Sequence, residues 1–151
     1  MNIQCHWKEK LHFTAKSEHH QVEMDTKSPL GSDSALSPKQ LLLAAISGCT
    51  AMDVVSLLKK FHQPLESLTI TADATPTEGV YPPIFKSIQL DYQFTGELDQ
   101  DKVMQAVSLS QTKYCGVSAM IAKAVPITYV ITLNGVAAGS GKADFESTAK
   151  T

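Results

Sequence analysis

Two cysteines are the residues of this chain with the clearest capacity for chemistry. Cys49 lies in the segment SPKQLLLAAISGCTAMDVVSLLKKF, residues 37–61, and Cys115 lies in KYCGVSAMIAKA. A cysteine reacts as a thiolate, which a helix N-terminus or a nearby cation favours. Either cysteine could instead be inert packing, because a free cysteine behaves as a small hydrophobe. The third cysteine, Cys5, alternates with Trp7 in a predicted strand and is expected to pack.

The two cysteines have different local electrostatics. Cys49 is about three turns inside a predicted helix, where the effect of the helix dipole has faded. Asp53 follows one turn later on the same face and opposes ionisation of the thiol. A thiolate at Cys49 therefore needs a cation from elsewhere, and all thirteen basic residues are lysine. Cys115 precedes a predicted short helix and has Lys113 nearby, and both features are expected to favour its thiolate.

The other features of composition exclude several classes of function. The five histidines and three cysteines show no metal-binding spacing, so no metal and no other cofactor is expected. The net charge is −2 without charge clusters, which argues against nucleic acid and anionic membrane surfaces as partners. We find no signal peptide and no uninterrupted apolar run of membrane-spanning length, so a cytoplasmic protein is expected.

Residues 37–61 are predicted to form one long helix. Ser37 is a suitable N-cap, Pro38 suits the first helical position, and Gln40 completes a capping box. Pro64 ends the run because it cannot continue the helix. A helix that is apolar on nearly every side must be central in the fold or shared between subunits.

The rest of the chain predicts an α+β fold with helices packed on antiparallel sheet. Period-two alternation indicates strands near residues 3–7, 11–15 and 20–24, then at 68–74, 88–94 and 127–133. Between the last two strands, a helix capped by Asp99 is interrupted near Cys115 and resumes before Pro126. We expect a single domain at residues 1–133 and a flexible tail at 134–151.

The two cysteine segments together resemble the signature segments of the OsmC/Ohr family of thiol-dependent peroxidases. This resemblance implies an OsmC/Ohr-like fold and an intertwined homodimer with two long helices at its centre. It also implies a peroxidase for organic or hydrogen peroxides in oxidative-stress defence. Cys49 would be the peroxidatic residue and Cys115 the resolving residue, and a thiol or lipoyl reductant would restore the resulting disulfide.

The chain departs from the family pattern at the charged groups. Family peroxidases hold the thiolate with an arginine and fix that arginine with a glutamate, whereas Lys39 and Gln40 stand at the start of this helix and the chain has no arginine. The candidate residues for charge support are Lys27, Lys39 and Lys113, although an ammonium group cannot reproduce bidentate guanidinium geometry.

A pocket at the dimer interface, lined by Leu42, Met52 and Phe61, is expected to favour organic hydroperoxides. The missing arginine and glutamate leave a second possibility, which is a non-enzymatic module that binds a small apolar or thiol ligand in this pocket. A third possibility is that Cys49 serves only in packing.

Overall fold

The computed structural model describes residues 1–145. It divides after Leu42 into two compact units, and the single domain at residues 1–133 stays a prediction. The N-terminal unit contains three strands, β1 (Gln4–Glu9), β2 (His12–Lys16) and β3 (Gln21–Met24). The helix α1 (Pro38–Lys60) begins in this unit and continues into the next. The remaining elements are β4 (Ser67–Pro76), β5 (Phe85–Thr95), α2 (Gln100–Leu109), a π-helical turn (Ser110–Tyr114), α3 (Gly116–Ile121), β6 (Ile127–Leu133) and β7 (Val136–Lys142).

The N-terminal unit is the antiparallel meander predicted from its period-two alternation. Strands β1, β2 and β3 pair in sequence order, and Phe13 on the central strand faces Trp7 on one side and Met24 on the other. The expectation that Cys5 packs is wrong for the single chain, because all six residues of β1 are exposed. Cys5 and Trp7 therefore do not pack within this chain.

The long helix starts where the capping residues predict. The backbone N–H of Ser37 donates to Oε1 of Gln40 at 2.8 Å, and the N–H of Gln40 donates to the Ser37 hydroxyl at 3.4 Å. This reciprocal pair satisfies backbone donors that the first helical turn leaves free. The predicted helix at 37–61 is thus confirmed as α1.

The C-terminal unit contains a four-stranded sheet in the order β4-β5-β6-β7. Its outer pairs are antiparallel, but β5 and β6 run parallel, so the sheet is mixed and not purely antiparallel as expected. Parallel neighbours need a crossover connection. Here the crossover consists of α2, the π-helical turn and α3.

One face of this sheet forms the core with the helices. The buried face of β5 presents Ile88, Leu90, Tyr92 and Phe94, which alternate along the strand as predicted. The same cluster contains residues of α1, α2 and β6, among them Ile46, Leu58, Val103, Val107 and Ile131. This shared packing places the middle of α1 beside the crossover, which contains Cys115.

The prediction of a flexible tail is wrong for Val136–Lys142, which form β7. Asn134 and Gly135 have φ values of 51° and 80°, which is the backbone of a tight hairpin turn and not the end of the sheet. Close packing against β7 also requires a small residue at Gly141, since a Cβ there would lie 2.5 Å from the Tyr129 hydroxyl. Residues 146–151 of the predicted tail lie outside the described part of the chain.

The surface of α1 is more apolar than the single chain can cover. Met52 is 77% exposed, and Leu42 and Val55 are also exposed. By length and composition α1 would be long and apolar enough to cross a bilayer, contrary to the expectation from the sequence. Core helices of soluble proteins meet the same criterion, so this property does not by itself assign a location.

Candidate active site

The structure brings together the two cysteines singled out in the sequence. The sulfur atoms of Cys49 and Cys115 and a carboxylate oxygen of Asp53 all lie within 4.8 Å of one another. Cys49 and Asp53 are one turn apart on α1, so their side chains share a helix face. The two sulfurs are near enough for rotation of the side chains to carry them toward the S–S bond length of about 2.05 Å.

Cys115 occupies the corner between the two parts of the crossover, as predicted. The π-helical turn ends at Tyr114, and the backbone N–H of Cys115 still donates to the carbonyl oxygen of Ser110 at 3.0 Å. Cys115 itself is extended and caps α3, since its sulfur accepts a hydrogen bond from the N–H of Ser118 at 3.3 Å. The cap orients the thiol, and π-helical insertions of this kind are frequent at functional sites.

The two thiols differ in exposure and in their surroundings. Cys115 is buried, whereas Cys49 is half-buried. Burial, followed by a hydrogen bond with Cys49, raises the pKa of Cys115 to about 11, and the hydrogen bonds from Ser118 oppose this rise only in part. The expectation that the helix N-terminus and Lys113 would favour a Cys115 thiolate is therefore wrong, because the desolvation of the charge outweighs the hydrogen bonds from Ser118 at that N-terminus.

A buried chain of polar side chains adjoins Asp53. Oγ1 of Thr50 lies 2.7 Å from the Tyr92 hydroxyl and 2.8 Å from the Ser110 hydroxyl. Ser110 in turn donates to Oδ2 of Asp53 at 3.0 Å. Nε2 of Gln111 donates to both Thr50 and Tyr92, each at 3.0 Å. These hydrogen-bonded side chains therefore link β5, α1 and the π-helical turn.

The chemistry of the groups determines the direction of each hydrogen bond in this chain. An ionised carboxylate only accepts, so Ser110 must donate its one hydroxyl hydrogen to Asp53. Thr50 must then donate to Ser110, and Tyr92 must donate to Thr50. Both hydrogens of the Gln111 amide are used as donors in this arrangement, and its buried Oε1 has no partner among the described residues. The charge of Asp53 thus determines the direction of the hydrogen bonds that run from Gln111 to Asp53 on α1.

Four of these residues, Thr50, Tyr92, Ser110 and Gln111, were not predicted from the sequence. Tyr92 carried a usable signal, since a tyrosine on a buried strand face needs a partner for its hydroxyl. The pKa of Tyr92 is raised above its ordinary range by burial, so the hydroxyl stays protonated as a donor. Thr50 and Ser110 carried no signal, because their role depends on contacts between distant segments.

The three lysines predicted to supply positive charge are Lys27, Lys39 and Lys113. The Nζ atom of Lys113 lies 5.5 Å from the ring centroid of Tyr114. Lys27 and Lys39 are exposed residues of the N-terminal unit, and their role stays a prediction. Within residues 1–145, no lysine or histidine forms an ion pair with Asp53.

The predicted pocket residues are not enclosed by one chain. Leu42 and Met52 are exposed, while Phe61 is half-buried with Nζ of Lys102 over its ring at 5.4 Å. A pocket lined by all three requires a second chain and stays a prediction. The group of Cys49, Asp53 and Cys115 offers ligand atoms of the kind that bind soft metal ions, although the sequence spacing indicated no metal site.

Comparisons with known proteins agree with the resemblance seen in the cysteine segments. Protein YhfA of Escherichia coli (strain K12) is 38% identical over 131 residues, which cover 85% of this chain and 95% of that protein. A crystal structure of a hypothetical protein from Aquifex aeolicus VF5 has a TM-score of 0.79 at 26% identity and covers 88% of this chain and 95% of its own.

A third similar protein is an organic hydroperoxide resistance protein OsmC from Legionella pneumophila, with a TM-score of 0.66 at 19% identity. The match covers 87% of this chain and 95% of that one, and it supports the shared fold. Residues 31–130 match the family model described as OsmC-like protein. The predicted resemblance is confirmed, and the chain belongs to the OsmC-like protein family.

Proposed function

We propose that this protein is a thiol-dependent peroxidase that reduces organic or hydrogen peroxides in oxidative-stress defence. The observation that carries this proposal is the proximity of the Cys49 and Cys115 sulfurs, which lie within 4.8 Å of each other. A pair of thiols at this separation can pass between the dithiol and disulfide states without rearrangement of the sheet. The family membership and the hydroperoxide-resistance protein from Legionella pneumophila add support.

The difference in exposure supports the proposed roles of the two cysteines. Cys49 is half-buried and can be reached by a peroxide, whereas Cys115 is buried and meets only a partner inside the protein. Cys49 is therefore the peroxidatic residue and Cys115 the resolving residue. This assignment agrees with the roles that the family resemblance implies.

The reaction has three balanced steps. The Cys49 thiolate attacks the peroxide ROOH, the O–O bond breaks, and with one proton the products are ROH and a Cys49 sulfenic acid. The Cys115 thiol condenses with the sulfenic acid, which forms the disulfide and releases water. A thiol or lipoyl reductant then supplies two electrons and two protons through thiol–disulfide exchange and restores both cysteines.

The Cys115 thiol supplies part of the support that arginine gives elsewhere in the family. Its raised pKa keeps the S–H group protonated at neutral pH, and this hydrogen can be donated to the Cys49 sulfur. A hydrogen bond to the charged form of a group favours that form. Lys27, Lys39 and Lys113 remain the candidates for additional positive charge at the complete site.

The complete site belongs to a homodimer in this proposal. Exposed apolar side chains on α1 and on the N-terminal sheet, such as Met52, Trp7 and Val22, would be covered by a second copy of the chain. Leu42, Met52 and Phe61 would then line a pocket for an organic hydroperoxide. OsmC-family proteins are soluble, so α1 is proposed as the core helix of a cytoplasmic dimer.

A second candidate function is non-enzymatic binding of a small apolar or thiol ligand at the dimer interface. The observation in its favour is that Asp53, next to both thiols, forms no ion pair within the described residues. A negative charge without a cation opposes the thiolate that a peroxidase needs.

One experiment separates the two functions. Fully reduced protein receives a stoichiometric pulse of cumene hydroperoxide, is quenched with an alkylating reagent, and is analysed by intact mass. The peroxidase predicts rapid loss of two hydrogen atoms and protection of both Cys49 and Cys115 from alkylation. Unchanged thiols together with a co-purifying ligand would support the binding module and reject the peroxidase.

Three single variants serve as controls. Cys49→Ser should abolish peroxide consumption. In Cys115→Ser the reaction should stop after the sulfenic acid of Cys49 has formed. Cys5→Ser should behave as the wild type, because Cys5 is exposed on β1 in the other unit. Equal turnover by the wild type and Cys49→Ser would remove the proposal.

A further inference from the structure

Asp53 is the member of the cysteine cluster that disulfide chemistry does not use. Its carboxylate oxygen and the two sulfurs lie within 4.8 Å of one another, so three groups that ionise to anions converge at one point. Three converging anionic ligands are the arrangement that a divalent cation stabilises, and two of the three are sulfur. The tertiary structure therefore creates a ligand set that no sequence motif of this chain indicates.

The geometry of the cluster suits a tetrahedral ion. Zinc binds thiolate at about 2.3 Å and carboxylate oxygen at about 2.0–2.2 Å, which places the ligand atoms of one ion roughly 3.5–3.8 Å apart. The three ligand atoms lie within 4.8 Å of one another, so they need to move by at most about 1 Å to reach this spacing. Cys49 and Asp53 are one helical turn apart and approach from the same side, while Cys115 approaches from the crossover.

Supporting hydrogen bonds hold two of the three groups in place. Ser110 donates to Oδ2 of Asp53 at 3.0 Å, which leaves the other carboxylate oxygen available as a ligand. The backbone N–H of Ser118 donates to the sulfur of Cys115 at 3.3 Å. Hydrogen bonds of this kind orient metal ligands and commonly contribute about 10–100-fold to metal affinity.

We propose that the reduced protein binds one Zn²⁺ ion per chain through the sulfurs of Cys49 and Cys115 and a carboxylate oxygen of Asp53. A water molecule or an exogenous ligand completes the fourth position. Binding releases the two thiol protons, so the three anionic ligands and the ion together carry a net charge of −1, the same charge as the one carboxylate and two neutral thiols before binding. Thiolate ligands favour zinc over magnesium and calcium, which prefer oxygen.

The same two cysteines serve this site and the proposed peroxidase, but zinc binding does not depend on peroxidase activity. Metal binding requires Asp53 and two reduced thiols, whereas disulfide formation requires only the thiols. A zinc-binding assay without peroxide therefore tests only the metal site, and a peroxide assay with a chelator tests only the peroxidase. A negative result in one assay leaves the other proposal standing.

The test uses the full-length chain, reduced and freed of metal with a chelator that is then removed. Zinc affinity is measured by competition with a chromophoric chelator, and Co²⁺ is used as a spectroscopic probe of thiolate ligation. We expect one equivalent of Zn²⁺, an intense sulfur-to-cobalt charge-transfer band, and affinity that rises with pH. Absence of stoichiometric Zn²⁺ uptake by the wild type would overturn the proposal.

Three variants locate the site. Asp53→Asn is nearly isosteric and should weaken zinc binding at least about tenfold while the cobalt charge-transfer band persists. Cys49→Ser should remove stoichiometric binding. Cys5→Ser should leave the affinity unchanged, because Cys5 lies outside the cluster. Unaltered affinity in folded Asp53→Asn, with folding verified by circular dichroism, would exclude the carboxylate ligand and overturn the proposed site.

Discussion

The Ser110 hydroxyl donates a hydrogen bond to the Asp53 carboxylate at 3.0 Å and so joins the cysteine cluster to the buried polar chain. Asp53 is the acceptor at the end of that chain, and its charge determines the direction of each hydroxyl hydrogen before it. The carboxylate therefore has two effects on the fold and the site. It orders the buried polar chain, and it places a negative charge next to both thiols.

Replacement of Thr50 by valine should destabilise the protein. The Thr50 hydroxyl accepts from Tyr92 and Gln111 and donates to Ser110, so its loss leaves buried donors unpaired. Each such group costs about 1–3 kcal/mol. Urea denaturation should show a loss in this range for Thr50→Val and a smaller one for Thr50→Ser, which keeps the hydroxyl. Equal losses for the two variants would mean that the methyl group, and not the hydroxyl, is responsible.

Asp53→Asn should make Cys49 more reactive. The negative charge of Asp53 lies within 4.8 Å of the Cys49 sulfur and opposes ionisation, and asparagine removes that charge with little change in volume. The rate of alkylation of Cys49 by iodoacetamide at pH 7, measured in metal-free protein, should rise several-fold. Asp91→Asn on β5 is the matched control and should leave the rate unchanged. A slower reaction in Asp53→Asn would indicate instead that the carboxylate assists deprotonation.

The stability contributed by Cys115 should decline at alkaline pH. Its pKa in the folded protein is about 11, above the ordinary thiol value of 9.0, mainly because it is buried. The folded state therefore holds the proton more tightly, and this contribution is complete below pH 9 and is lost as the pH rises toward 11. The difference in unfolding free energy between wild type and Cys115→Ala should shrink over that interval. A difference that is constant with pH would contradict the raised pKa.

Two glycines of β7 should respond differently to alanine. A Cβ on Gly141 would lie 2.5 Å from the Tyr129 hydroxyl, a group at the end of a rigid buried ring. A Cβ on Gly139 would lie 3.2 Å from the terminal methyl group of Met104, which can move aside. Gly141→Ala should cost about 1–3 kcal/mol of unfolding free energy, and Gly139→Ala clearly less. The reverse order in thermal or urea denaturation would be inconsistent with this packing of β7.

A charge at Met52 should disrupt the proposed dimer. Met52 is 77% exposed on α1 in the single chain, where a second copy would bury it. Sedimentation velocity should give a dimer for the wild type and a shift toward monomer for Met52→Glu. Val130→Glu is the control, because Val130 is an exposed residue on the strand face opposite the core and should leave the dimer intact. A monomeric wild type would reject the dimer outright.

Features that depend on neighbouring residues in the chain were predictable from the sequence. The cap formed by Ser37 and Gln40, the course of α1, the alternation of β5 and the corner at Cys115 all follow from local hydrogen bonding or from a hydrophobic period. The resemblance carried by the two cysteine segments also named the family correctly. Such features need no knowledge of the distant parts of the chain.

Features that depend on distant segments were decided only by the tertiary structure. The parallel pairing of β5 and β6 and the addition of β7 depend on strand register, for which the small residues of β7 give almost no hydrophobic signal. The raised pKa of Cys115 reversed the expectation because burial, which sequence spacing does not reveal, outweighs the helix terminus. The approach of Cys115 to Cys49 and Asp53 likewise arises only when the crossover folds back onto α1. The sequence could therefore place Asp53 beside Cys49, one helical turn away, but it could not show that Cys115 joins them or that its thiol is buried.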